Sequence, residues 1–171
     1  IKTESRTAGI FSSVNVSGSL DVYVTQDSAC SVKVEADENL MEYIIIKTEG
    51  DVLVIEPRDG YNLSGSKHIK IYVSSPVFKS FDVSGASLIA VEGMLTSSET
   101  IAIQVSGASD AKLELRAPKV SIDISGASTA VVKGQTKDLF IEGSGASNAK
   151  CFELLSENAE VDVTGASNAD V

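Results

Sequence analysis

The stretch "DVSGAS" at residues 82–87 returns as "QVSGAS" (104–109), "DISGAS" (123–128), "EGSGAS" (142–147) and "DVTGAS" (162–167). The glycines of these phrases, Gly85, Gly107, Gly126, Gly145 and Gly165, are 22, 19, 19 and 20 residues apart. Self-similarity at a period of about 20 residues predicts an array in which each repeat is one supersecondary unit. Such a unit buries its apolar face only by stacking on its neighbours.

With each glycine set to zero, position −4 holds Phe81, Ile103, Ile122, Ile141 and Val161, and position −2 holds Val83, Val105, Ile124, Gly143 and Val163. Polar residues alternate with them. Period-2 alternation of this kind is a strand with one face buried, here ending at a Ser-Gly or Thr-Gly pair. Beyond the glycine, position +4 holds Ile89, Ala111, Ala130, Ala149 and Ala169, and position +6 holds Val91, Leu113, Val132, Cys151 and Val171. A second strand is therefore expected after a corner, with small and medium side chains that let successive repeats stack closely. Glycine supplies the corner conformation that a Cβ penalises. The flanking Ser or Thr is expected to hydrogen-bond exposed backbone at the bend, and the alanine after each glycine to fill a narrow interior. Position +3 (Leu88, Asp110, Thr129, Asn148, Asn168) is either a hydrogen-bonded polar ladder or a set of good turn formers.

Composition agrees with this reading. Val, Ile, Ser and Gly are plentiful, against five Phe, four Tyr and no Trp, which favours many short strands. The net charge of −10 with scattered Lys and Arg argues against nucleic acid and anionic membrane surfaces as partners. No run of about 18 apolar residues reads as a membrane-spanning helix. Cys30 and Cys151 read as two buried thiols or as one bridge. The chain opens "IKTESRT" without Met, so an export signal, if the protein carries one, is expected before residue 1.

The front half carries an early echo: in "VNVSGSLDVYV" (14–24), Val14, Val16, Val22 and Val24 occupy the repeat's core positions around Gly18. Strand-like runs follow at "SVKVEA" (31–36), "YIIIKT" (43–48), "DVLVIEP" (51–57) and "KHIKIYVSS" (67–75). "DENLME" (37–42) reads as one helical turn with Asp37 as N-cap, "TEGDV" as a tight hairpin, and 57–67 as a surface loop. The expected fold is all-β: a single-stranded β-helix, or β-solenoid, of about 20-residue coils over 76–171, continuous with a β-rich region over 1–75. Gly18, Gly85, Gly107, Gly126, Gly145 and Gly165 are its expected structural corners.

A search for chemistry finds no catalytic set. The single histidine, His68, is expected at an alternating strand position without a carboxylate and nucleophile beside it. Zinc-ligand spacing and a phosphate-binding loop are absent, and S/T-G-A-S repeats five times where a nucleophile elbow occurs once. No cofactor and no metal site is called for. The candidate binding feature is the outward column at position −3, where Asp82, Asp123, Glu142 and Asp162 accompany Gln104. Carboxylates about 5 Å apart repel by roughly 1 kcal/mol in water. Either they splay into solvent, screened by Lys119 and Lys137, or the column recruits a cation, Ca2+ being the hard oxygen-preferring candidate, or a basic patch on a partner.

The order of segments from "VSGSLDVYV" through "DVLVIEP" (16–57), followed by tandem V/I-S-G-A-S steps, resembles the bacterial head GIN domain family, the "putative auto-transporter adhesins" common in Bacteroidetes, over essentially the whole chain. The resemblance implies an exported, periplasmic or cell-surface protein with a β-helix-like fold. The function expected is a noncatalytic adhesion module contacting glycan or a cell-surface or matrix protein. The alternatives are a carbohydrate-active enzyme on a β-helix scaffold, or an envelope assembly unit in which the strand edge near Val171 templates a homo-oligomer.

Overall fold

The computed structural model describes every residue except Ser66 and Lys67. Among the described residues sixteen strands join one mixed sheet. In chain order they are β1 (Lys2–Arg6), β2 (Ser13–Val16), β3 (Asp21–Gln26), β4 (Ser31–Ala36), β5 (Ile44–Glu49), β6 (Val52–Pro57), β7 (Lys70–Ser75) and β8 (Ser80–Val83). There follow β9 (Leu88–Glu92), β10 (Leu95–Thr96), β11 (Ile101–Val105), β12 (Asp110–Ile124), β13 (Thr129–Gly143), β14 (Asn148–Lys150), β15 (Leu154–Val163) and β16 (Asn168–Asp170). A 3-10 helix over Glu38–Tyr43 is the one helical element among them. The chain is all-β.

Repeats lie side by side in parallel, one period apart. Val14, Phe81, Ile103, Ile122, Ile141 and Val161 are register partners in one continuous column. Past the corner, Val22, Ile89, Ala111, Ala130, Ala149 and Ala169 form a second. Both columns are buried through most of their length and belong to a single apolar core. Because β9 and β11 both pair with β12, the sheet doubles back around that core.

The corners are where the repeats approach most closely. Gly85, Gly107, Gly126, Gly145 and Gly165 all have φ between 71° and 76°, and Gly18 has φ 92°. Each carbonyl accepts the amide of the alanine in the next repeat: Ala86 N–H to Gly18 at 2.7 Å, then Ala108, Ala127, Ala146 and Ala166 N–H to the preceding glycines at 2.8 Å. The ladder thus continues through the bend, and the flanking hydroxyls add to it as expected: Ser84 Oγ donates to the Val16 carbonyl and Thr164 Oγ1 to the Gly143 carbonyl, each at 3.4 Å.

One expectation about the corner is reversed: the alanine does not fill the interior. Ala86, Ala108, Ala127 and Ala146 are exposed at its tip, whereas Ser87, Ser109, Ser128 and Ser147 are buried. The reason is that alternation passes through the corner unbroken, so the even position +2 faces inward with +4 and +6. The serines are served there by neighbouring repeats: Ser128 Oγ donates to the Gly107 carbonyl at 3.3 Å, and Ser147 Oγ lies 3.1 Å from Ser167 Oγ.

The front half extends the same stack. β6 pairs in parallel with β2 and β7 with β3, so a segment later in the chain sits outside the first echo of the repeat. Antiparallel strands flank it: β5 forms the hairpin with β6 through Gly50–Asp51, and β4 then β1 follow β7. The 3-10 helix matches the expected helical turn, but Asp37 makes no side-chain capping bond. His68 lies in an exposed turn ahead of β7, not in the strand, because pairing with β3 begins only at Lys70. Of the loop and strand expected over 57–75, residues 66 and 67 fall outside those described. Cys30 and Cys151 are both free. Burial pushes the Cys151 thiol up to about 11.

Two outcomes follow from this packing. An ideal Cβ at Gly107 would stand 2.5 Å from the Gly85 carbonyl oxygen, whereas at Gly93, with φ 79°, it would meet nothing within 4 Å. Gly93→Ala meets only the left-handed backbone penalty of about 1–2 kcal/mol. Gly107→Ala adds a backbone collision, and its fall in Tm, measured by calorimetry, is expected to be at least about twice as large. A thiol reagent at pH 8 should label Cys30 in the native protein and reach Cys151 only after denaturation.

Candidate functional site

The strands that enter the corners also carry the outward column at position −3. Their register aligns Asn15, Asp82, Gln104, Asp123, Glu142 and Asp162 as successive partners. Neighbouring strands are about 4.8 Å apart, so Asp123, Glu142 and Asp162 are three adjacent carboxylates on one face. These three are exposed, whereas Asp82, between two amides, is half-buried.

A shallow groove of about 270 Å³ runs beside the acidic end of the column, lined by Lys119, Ser121, Phe140 and Glu160 together with Asp123, Glu142 and Asp162. Ser121, Phe140 and Glu160 are themselves register partners, two residues back along each strand. The Lys119 ammonium stands 4.4 Å from the centroid of the Phe140 ring. That cation–π contact, worth about 0.5–1 kcal/mol at an exposed site, holds the lysine on the aromatic ring. Among the described residues neither Lys119 nor Lys137 forms an ion pair with the column. Lys119 shares the groove with the three carboxylates without pairing to them, so each carboxylate keeps its oxygens open to solvent or a partner. Among the described residues no group of three or more His, Cys, Asp or Glu side chains is arranged to hold a metal ion. Calcium would have to draw its remaining oxygens from water or from a partner.

Position +3 carries one amide rung, Asn168 Nδ2 donating to Asn148 Oδ1 at 3.1 Å. The polar ladder is thus realised at the end where two asparagines are adjacent. The neighbouring partners Asp110 and Thr129 lie in the same register.

Sequence reasoning did not pair the tyrosines. Tyr23 on β3 and Tyr72 on β7 are register partners with ring centroids 5.6 Å apart and planes at 25°. Tyr43 and Tyr61 meet at 4.2 Å. The signal for the first pair was present, since "DVYV" and "KIYV" each place a tyrosine at an outward position between two inward residues. What was missing was that these strands are neighbours.

With the geometry in view, this is a repeat-built all-β protein whose stacked strands present columns of like side chains. The chain belongs to the family described as "Putative auto-transporter adhesin, head GIN domain", which matches residues 10–171. Similar solved structures include a "putative adhesin" from Parabacteroides merdae, with TM-score 0.71 and 20% identity over 98% of this chain and 79% of that one. A "putative adhesin" from Bacteroides fragilis is similar with TM-score 0.64 and 15% identity, over 98% and 95% of the two chains. A "putative lipid binding protein" from Parabacteroides distasonis gives TM-score 0.68 and 20% identity, over 98% and 80%. At these identities the likeness is one of fold. No curated protein matches the chain.

Burial raises the pKa of Asp82 above its ordinary 3.8. The folded chain therefore holds this proton more tightly than the unfolded chain does. Ionised Asp82 destabilises the fold at neutral pH, and the cost is relieved as pH falls through the raised value and below the ordinary one. Asp82→Asn, which completes an amide run from Asn15 to Gln104, is expected to raise Tm by about 1–2 °C at pH 7. Scanning calorimetry at pH 7 and at pH 3 should find that gain at the first and its disappearance at the second.

Proposed function

We propose that this chain is a noncatalytic, exported adhesion module of a bacterial cell envelope, in which a single-stranded β-solenoid over 76–171 is continuous with the β-rich region over 1–75 as one structural unit. The family to which it belongs supports the adhesion reading and a periplasmic or cell-surface location. The parallel pairing of β2 with β8 and of β3 with β9 supports one unit, because a continuous sheet crosses position 76. No helix among the described residues is long and apolar enough to cross a membrane.

The observation that carries the proposal is the exposed register of Asp123, Glu142 and Asp162 with the groove beside it. Three carboxylates fixed on a sheet form a preorganised anionic strip, and the complement of such a strip is a basic surface on a cell-surface or matrix protein. Folding fixes the strand spacing at which the three side chains are attached, so a partner meets them already aligned. A glycan that reaches the same strip would do so through hydroxyl groups or a bridging cation.

The monodisperse protein is expected to bind saturably to one class in a panel of matrix proteins and glycans, measured with calcium and with chelator. Asp123→Asn combined with Asp162→Asn should weaken that binding about tenfold or more, and raised salt should weaken it in the wild type. Binding that ignores both changes would remove the acidic strip from the interface. Silence across the panel from folded protein would turn the reading to an assembly or scaffold role.

A further inference from the structure

Elsewhere on the outward side of the sheet, β4, β7, β3 and β9 lie side by side and present two outward rows. The first row runs Lys33, Tyr72, Tyr23 and Ala90 across successive strands. The second, two residues along, runs Ser31, Ser74, Thr25 and Glu92. A groove of about 400 Å³ lies along them, lined by Thr25, Asp27, Ser31, Lys33, Tyr72 and Ser74. This is within the range of small-ligand sites, roughly 300–1,000 Å³.

The chemistry of the lining is specific. Tyr72, the aromatic of the lining, is stacked on Tyr23 and offers its remaining ring surface to an apolar C–H face, and the parallel hydroxyl row offers donors and acceptors about 5–7 Å away. Asp27 and Lys33 add one carboxylate and one ammonium, so the groove carries no net charge. Some of these groups are already held in place. Ser31 Oγ and Ser74 Oγ are 2.7 Å apart, Ser74 Oγ donates to the Ala29 carbonyl at 3.0 Å, and Asp27 Oδ1 accepts the Ser28 amide at 2.7 Å. Asp27 is exposed and its Oδ2 has no protein donor among the bonds of the described residues, which leaves it available for a ligand hydroxyl. A cross-strand tyrosine pair alone is an ordinary sheet stabiliser worth about 0.2–1 kcal/mol. Its position beside a preorganised hydroxyl row, a free carboxylate oxygen and an ammonium calls for more than packing.

We propose that this groove is a binding site for a neutral saccharide. One pyranose ring rests its C–H face against Tyr72, Asp27 accepts from its hydroxyl groups, Lys33 donates to a ring or hydroxyl oxygen, and Ser31 and Thr25 complete the edge. Charge balance selects against sialylated or sulfated sugars, which the net negative chain would also repel. The site lies on the strands that follow the corner, not on those that carry the acidic strip, and does not depend on the strip's role.

The test uses the intact protein against an array of neutral hexose and N-acetylhexosamine oligosaccharides with sialylated and sulfated counterparts. Saturation-transfer NMR and tyrosine emission, which no tryptophan obscures, follow each hit. At least one neutral class is expected to bind saturably. Tyr72→Ala and Asp27→Asn should each weaken it about tenfold, Tyr72→Phe should change it by less than about threefold, and Asp123→Asn with Asp162→Asn should leave it unchanged. Asp27→Asn keeps the oxygen that accepts the Ser28 amide, so it remains informative if Tyr72→Ala loosens the sheet. Overturning results are no neutral saccharide bound, preference for the anionic sugars, or binding that survives both Asp27→Asn and Tyr72→Ala. Loss of binding only in the acidic-strip variant would uphold that strip and overturn this site.

Discussion

Everything in this structure depends on how closely the corners pack. A left-handed glycine turns the chain from one strand to the next, and its carbonyl accepts the following repeat's amide at 2.7–2.8 Å. The hydrogen-bond ladder of the sheet therefore runs on through the bend. A side chain at the glycine would have to occupy the place of the neighbouring carbonyl, so both the dihedral angle and the approach exclude one. Because each corner is set by the one before it, the strands on either side inherit a common register.

Register in turn decides the core. Parallel pairing without slip brings identical positions of successive repeats together, so one choice of side chain is repeated through the stack. Val, Ile and Phe fill the column before the corner and Ala dominates the column after it, and both columns join one buried cluster. The serine two residues past the glycine faces the same interior. A buried hydroxyl is tolerated there because a neighbouring backbone or serine lies within hydrogen-bond reach.

The same rule generates the outward surface. Side chains that would be scattered on a looped protein are here lined up at strand spacing, whether they are carboxylates, asparagines or tyrosines. Repulsion between stacked carboxylates is a small cost in water, and the sheet bears it at the exposed end of the column. Where burial is greater, at Asp82, the flanking positions are the uncharged Asn15 and Gln104. Flat faces with fixed columns suit recognition of extended partners, while nothing among the described residues converges as a catalytic constellation does.

The repeat, its period, the inward columns and the acidic column were legible in the sequence, because parallel in-register stacking maps spacing along the chain directly onto neighbours in space. The inward serines were legible in principle as well, since the even positions continue through the corner. Only the tertiary structure decided what sits beside the first echo of the repeat. Val14–Val24 is followed by about fifty residues before the regular array resumes, and no local pattern says that β6 and β7 turn back to lie outside it. That long-range pairing is what brings Tyr23 to Tyr72 and sets Lys33 beside them. Chain spacing cannot foretell it, because the free energy comes from apolar contacts between segments far apart in sequence. The repeats themselves were readable because their partners are always one period away.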